Sequence, residues 1–338
     1  MWHLVLRRLA MMPLLLLGVV TIAFLLSHLT QANPLSAILS ARQLDNPEVV
    51  AAAKARWGLD KPPIAQYGLY VAHVLQGDLG VSFRSNRPVL RDIADRLPAT
   101  LELVIAAMTI GTVGGIGLGV IAAATRDRLP DHLARAFSLI GSSIPVFWSG
   151  LLLLYVFSVL LGWLPGPGRL SSRAVPPPWV TGFLTVDAVL AGRWDSFRDA
   201  LSHLVLPSVA LAWSTTGIVS RLVRGSMLEV LGQDYILMAR AKGASETRVL
   251  VNHALRNALL PTLTVTGFTF AYLITGAVLV ETIFAWPGIG SYAVDSVRVL
   301  DYPGIMGVTI VGGAGFLLAT LVTDISYIFA DPKLRQHS

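Results

Sequence analysis

Six stretches of this 338-residue chain run without a charged side chain for long enough to cross a lipid hydrocarbon core, which takes about 20 apolar residues in helical form. They are Leu9 to Ala41, Leu103 to Thr125, Ala136 to Gly168, Ala200 to Ser220, Asn257 to Val280 and Tyr302 to Thr323. Inside a bilayer the backbone must satisfy its own hydrogen bonds, so such runs fold as helices. The expected fold class is therefore an all-α membrane protein with six transmembrane helices. The charged fraction of 14% agrees, being too small to cover a soluble surface. Arg7 and Arg8 precede the first run as they would in a secretion signal, but Leu9 to Leu29 is too long for one and no small-x-small site follows. It is read as a retained anchor.

With the N-terminus cytoplasmic, the inside segments are about 1–8, 125–135, 221–258 and 332–338, and they hold half of the 26 basic residues. Both termini then lie inside. The outer segment from about Thr30 to Pro98 carries eight basic residues, but loops beyond roughly 60 residues translocate largely regardless of charge. The resulting layout is an N-terminal end and first helix over 1–30, an external region over 31–98, a core of five helices over 99–331 and a cytoplasmic tail over 332–338. A net charge of +6 speaks for the side of the membrane rather than for nucleic acid.

The external region contains Ile64, Tyr67, Val71, Val74 and Leu75 at helical spacing after Pro62-Pro63, which predicts an amphipathic helix ending near Gly77. A second outer segment starts as the stiff LPGPGRLSSRAVPPPW and continues to Phe197, Leu201 and Leu204, where another short amphipathic helix is expected. In the second span, Gly111, Gly115 and Gly119 recur every four residues on one face. This is a helix-packing ridge, since backbones approach closely where no Cβ intervenes. A phosphate loop would need a preceding strand and a following Lys-Ser or Lys-Thr, and neither is present.

Between the fourth and fifth runs lies ARAKGASETRVLVNHALRNALLP, a polar insert in an apolar chain. Gln233 to Lys242 predicts a short helix, Gly243 a left-handed end to it, and Ser245 the cap of a second helix reaching Leu260. The result is a bent, basic arm over 233–260, with Ile236, Ala239, Val249, Leu250 and Leu255 to seat it on the bundle. A positive-inside loop with fortuitous periodicity is the plainer alternative.

Few groups in the chain carry reactive chemistry. There is no cysteine, hence no thiolate nucleophile or thiolate metal site, and the seven histidines show no ligand spacing. No catalytic, metal or cofactor residue is assigned. Asp324 and Glu102 fall near span ends, where pairing or snorkelling serves structure. Glu281 opens ETIFAWPGIG, whose Trp286-Pro287-Gly288 must break the helix. Glu281, Phe284, Trp286, Pro287, Gly288 and Gly290 are thus a candidate gate or external turn, weighed against an interfacial aromatic anchor. Pro145 in the third run is either a kink that serves opening or tolerated packing.

The bent arm resembles the ATPase-docking loop in the transmembrane subunits of binding-protein-dependent ABC importers, in the dipeptide, oligopeptide and nickel branch. The broad family signature is Glu-Ala-Ala, three residues, Gly; aligned on Gly243, this chain has Leu237, Met238 and Ala239. YILMARAKG and HALRNALLP instead look like the peptide-branch form. Further matches are GLDKPPIAQY, GDLGVSF, LPATLEL, SIPVFWSGLLL, HLVLP, ETIFAWPGIG and DYP followed by ADPKLR, with Leu300 standing where the family often has arginine.

The resemblance implies a permease that pairs with a second homologous subunit, rests on two cytoplasmic ATPase subunits and receives cargo from an external substrate-binding protein. It further implies a bacterial plasma-membrane location, with Tyr235, Ala239, Arg240, Ala241, Lys242, Gly243, Ala244 and Ser245 as the ATPase-coupling residues. Di- or oligopeptides are the expected cargo, with nickel chelates or glutathione as alternatives within the branch. An ion-coupled secondary transporter is the rival from another class, and it calls for inverted repeats and mid-span charges that are not evident. An intramembrane protease is disfavoured because Ser142 and Ser143 are remote from His253.

Overall fold

A computed structural model describes residues 2–29, 35, 39, 41–57 and 61–330. The first apolar run forms α1 (Trp2–Leu29), and the outer segment follows with α2 (Ala41–Leu44), α3 (Pro47–Trp57) and α4 (Pro63–Leu75). Pro63 supplies the preset φ that favours a first helical position, and Gly77, at φ +77°, turns the chain after α4. The buried face of α4 differs from the expected one. Tyr67, Tyr70, Val71 and Val74 pack against Val20, Ala23 and Phe24 of α1, whereas Ile64 and Leu75 are 86% and 82% exposed.

Next comes α5 (Val89–Ala124), 36 residues long with Pro98 inside it. The expected boundary between external region and core at 98/99 therefore falls within one continuous helix. Four residues beyond Thr125, α6 (Leu129–Ser143) begins. The third apolar run is not one rod: it breaks at Ile144-Pro145, resumes as α7 (Val146–Leu153) and ends in a π-helical stretch, Leu154–Leu160, the two parts meeting at 107°. Proline lacks a backbone N–H and disfavours helical geometry in the residue before it, and Ile144 is accordingly extended, at ψ 131°.

After an irregular segment, α8 (Leu184–Leu190) leads to α9 (Trp194–Leu231), 38 residues long. Phe197, Leu201 and Leu204 thus belong to the head of this helix and not to a separate one. Its buried face there is Ser196, Ala200, His203 and Leu204, while Leu201 is 45% exposed. Two residues later stands α10 (Asp234–Ala241), then α11 (Glu246–Arg248), a π-helical stretch Val249–Leu255 and α12 (Arg256–Gly276). The helix expected to stop at Leu260 instead runs on into the apolar run with a bend of 53° near Pro261. The chain closes with α13 (Val278–Ile283), α14 (Ile289–Arg298) and α15 (Tyr302–Ala330).

By length and composition α5, α9 and α15 suffice to cross a membrane, and five spans result if each bent pair is counted once. A count of six rests on adding the shorter apolar helix Leu9–Leu25. Among the described residues there is no strand, only an isolated bridge between Val81 and Pro88.

The pillar of the bundle is the pair α5 and α9. Cβ atoms added to Gly111, Gly115 and Gly119 would stand 2.8, 2.6 and 2.7 Å from the Cβ atoms of Thr215, Val219 and Val223. Real Cβ atoms do not approach so closely, so the three glycines set the separation of the two helices. At one end of the pillar, Arg224 of α9 makes a bidentate pair with the fully buried Asp131 of α6, at 2.7 and 2.8 Å. At the other, Leu103, Val104, Ala107, Leu206, Ala210 and Leu211 form the main apolar core together with Phe284 and Trp286.

Candidate functional site

The insert between α9 and α12 folds as a compact elbow. The N–H of Gly243 donates to Arg240 O at 2.9 Å and that of Ala244 to Ala239 O at 3.1 Å, the paired bonds of a Schellman ending. Such an ending needs a left-handed residue, and Gly243 provides it at φ +83° with open space around its Cα. Ser245 occupies the cap position of α11, yet its side chain makes no capping bond. Closure of the elbow comes instead from Arg240, whose Nε and Nη2 donate to the two carboxylate oxygens of Glu246 at 2.8 and 3.2 Å. This guanidinium holds the Glu246 carboxyl below its ordinary value, mainly through the hydrogen bond.

The elbow is seated on the bundle by Ile236, Val249 and Ala254, all fully buried, and by Asn257 Nδ2 donating to the Tyr235 hydroxyl at 2.8 Å. Tyr235, Leu237, Met238, Arg240, Ala241, Lys242 and Gly243 are all exposed, with Ala239 and Ala244 half-buried. Large apolar side chains exposed at a polar site mark a contact with protein or lipid.

The second candidate region gathers at the other end of α5. Glu281 is fully buried: Thr100 Oγ1 donates to its Oε1 at 2.6 Å and the Ser291 N–H to its Oε2 at 2.9 Å. Thr100 Oγ1 in turn accepts from the Ile289 N–H at 2.8 Å. Helix α13 ends at Ile283, and the chain turns through Ala285 at φ +46°. Trp286 is 1% exposed and donates from Nε1 to Ala99 O at 2.8 Å, so it is a core anchor and not an interfacial one. Phe284 is 2% exposed, and its carbonyl accepts from the Gly168 N–H at 2.8 Å. A side chain at Gly288 would enter the Glu281 carboxylate, and a Cβ at Gly290 would lie 2.6 Å from Val278 Cα. Pro287 links these two fixed halves. The polar side chains of the turn are committed, which suits a rigid corner.

Sequence reasoning missed what braces this corner. Arg169, from the irregular outer segment, stacks 5.4 Å from the Trp286 ring centre and pairs with Glu102. Glu102 also accepts from the Thr185 N–H and Oγ1 at 2.8 and 2.6 Å. Nothing in the local pattern around Arg169 signals a partner 67 residues away. The side chain of Asp324 and the tail 331–338 lie outside the described residues.

Between the two regions runs a long groove of about 1070 Å³, walled by α5, α12, α14 and α15. Among the described residues none that lines it is charged; Met108, Phe270, Ile274 and Val311 are typical of it. Its hydroxyls are mostly spent within their own helices: Thr109 donates to Ile105 O and Thr309 to Ile305 O. Thr112 Oγ1 has no partner among the described residues.

This arrangement offers an apolar groove, a braced corner at one end and a basic elbow at the other. The family model described as binding-protein-dependent transport system inner membrane component matches residues 115–336, and its N-terminal companion matches residues 1–104. The probable D,D-dipeptide transport system permease protein DdpB of Escherichia coli K12 is 41% identical over 98% of this chain and 97% of its own length. The di/tripeptide permease DppB of Pseudomonas aeruginosa is 42% identical, covering 97% of each chain. The glutathione permease GsiC of Salmonella paratyphi A is 38% identical, also covering 97% of each. The chain accordingly belongs to the inner-membrane permease components of binding-protein-dependent ABC importers, a transport subunit and not an enzyme.

Proposed function

We propose that this chain is the permease half-channel of an ATP-driven importer of di- or oligopeptides, with its termini and the elbow over 233–260 on the cytoplasmic side. The elbow carries the reading. It follows α9 after two residues, is locked by Gly243 and the Arg240–Glu246 pair, and presents apolar side chains to solvent. In this reading two ATPase subunits dock there, and their motion rocks the helices as rigid bodies. The uncharged groove closes against a second homologous permease, and the two walls enclose the cargo path. An uncharged wall suits cargo of varied side chains released from an external binding protein. The di- and tripeptide names of the relatives support the cargo class, and the glutathione permease among them supports γ-glutamyl peptides as a second reading.

The test is reconstitution of the permease pair, ATPases and binding protein in vesicles, following uptake of a labelled dipeptide and of glutathione in competition. ATP-dependent dipeptide uptake that needs the binding protein is expected. Uptake indifferent to ATP but abolished by collapsing the proton gradient would move the chain to the secondary transporters.

A further inference from the structure

The concave side of the elbow is a cleft of about 530 Å³ whose walls include Tyr235, Met238, Lys242, Gly243, Arg248 and His253. Lys242 and Arg248 are exposed, and neither makes an ion pair among the described residues. No lining residue is acidic. The nearest carboxylate in sequence, Glu246, is already held at both oxygens by Arg240. The carbonyls at the end of α10 do not offset these cations either, because Ala239 O and Arg240 O are taken by the capping N–H groups of Ala244 and Gly243. Tyr235 accepts from Asn257, which leaves its own O–H free to donate.

We propose that this cleft receives an aspartate or glutamate side chain of the ATPase subunit. The proposal rests on the elbow being the ATPase-docking element and adds the chemistry by which it is recognised. Two unpaired cations with a phenolic donor form a receptor for a carboxylate. The apolar surroundings favour a protein carboxylate over a free anion: Met238 in the cleft wall is 59% exposed, and its chain neighbour Leu237 is 57% exposed. An apolar rim around a charged contact keeps water from it, as in the buried part of a protein interface. Charge complementarity of this kind fixes register as well as affinity.

Zero-length coupling tests it directly, since a carbodiimide joins an amine to a carboxylate only where the two touch. One carboxylate oxygen leaves on the urea, and the Lys242 ammonium gives up two protons, also carried off on the urea, as Nζ forms the amide. Lys242 is the only lysine between Lys61 and Lys333, so an adduct is readily assigned. In the intact complex of permeases and ATPases, the expected product is a cross-linked peptide joining Lys242 to an ATPase aspartate or glutamate. Lys242→Glu combined with Arg248→Glu should lower ATPase co-purification at least about tenfold. Lys242→Arg should restore association relative to Lys242→Glu while giving no adduct.

An intact complex that yields no Lys242 adduct overturns the cleft assignment and leaves the docking role of the elbow standing. Loss of co-purified anionic phospholipid from the doubly reversed variant, with the ATPases still bound, overturns it in favour of a lipid headgroup. Failure of the wild-type permease to hold ATPases at all overturns both readings.

Discussion

Arg240 grips both carboxylate oxygens of Glu246 across the left-handed Gly243, so the two arms of the elbow are tied on either side of its bend. The geometry is strained for any residue with a side chain even though the space is empty. Replacing Gly243 by valine or leucine should cost about 1–2 kcal/mol in local backbone energy and open the elbow. The variant is expected to insert normally, judged by membrane fractionation, but to lose uptake and to bind the ATPases weakly. Normal uptake by Gly243→Leu would remove the elbow from the coupling path.

The glycine ridge of α5 gives an internally controlled prediction. Gly115→Val should destabilise the detergent-solubilised protein by about 1–3 kcal/mol, the usual cost of overpacking, because Val219 and the Thr216 carbonyl already fill the site. Gly117 lies on the same helix with nothing within 4 Å. Gly117→Ala is therefore expected to be neutral or to stabilise by about 0.5–1 kcal/mol through helix propensity. Thermal unfolding of the two variants side by side checks the pair, and equal melting temperatures would be the adverse result.

The corner at Glu281 should behave as a unit. Glu281→Ala strands the Thr100 hydroxyl and the Ser291 N–H, at about 1–3 kcal/mol for each buried group left unpaired. Thr100→Val removes the bond to Glu281 and also the acceptor for Ile289. A double-mutant cycle on thermal stability should show the joint loss to be well below the sum, as for residues in one network. Simple additivity would mean that the corner is not a single braced element.

Asp187 offers a pH test outside the spans. Burial pushes its carboxyl up, but donors from Thr181, Val180 and Gly182 outweigh this and hold it below the ordinary 3.8. A depressed carboxyl stabilises the fold above its unfolded value and stops doing so as pH falls through the folded one. Hydrogen exchange of amides 180–182 should therefore stay slow from neutral pH down to about 4 and quicken below that, once corrected for intrinsic rates. Asp187→Ala should show the fast behaviour at every pH.

Much of this architecture was readable along the chain because its signals are local. The charge-free runs locate the long helices. The Pro62-Pro63 start and Gly77 end bracket α4, and Gly243 stands where the Schellman bonds close. The regular spacing of Gly111, Gly115 and Gly119 put one face against a neighbour, but it did not name Thr215, Val219 and Val223. What escaped depends on contacts between distant segments. Arg198 and Asp199 look like a boundary in sequence, yet Asp199 accepts from Ser171 N–H and Oγ, which lets α9 continue through them. Pro145 left the choice between a kink and packing open, and only the extended Ile144 makes it a break. Trp286 has the composition of an interfacial anchor and is buried because Ala99 and Arg169 meet it.

The lengths of α5 and α9 have a mechanical consequence. At 36 and 38 residues they measure roughly 54 and 57 Å at 1.5 Å per residue, against roughly 30 Å of hydrocarbon. Joined along the glycines of α5, they form a spar longer than the hydrocarbon is thick. Its foot stands two residues from the elbow, and its head carries the loop that braces Trp286. Each helix carries one internal proline, Pro98 and Pro207, yet each runs on as a single helix. Tilting the foot by a few degrees would therefore swing the far end by a few ångströms and link the two ends by leverage.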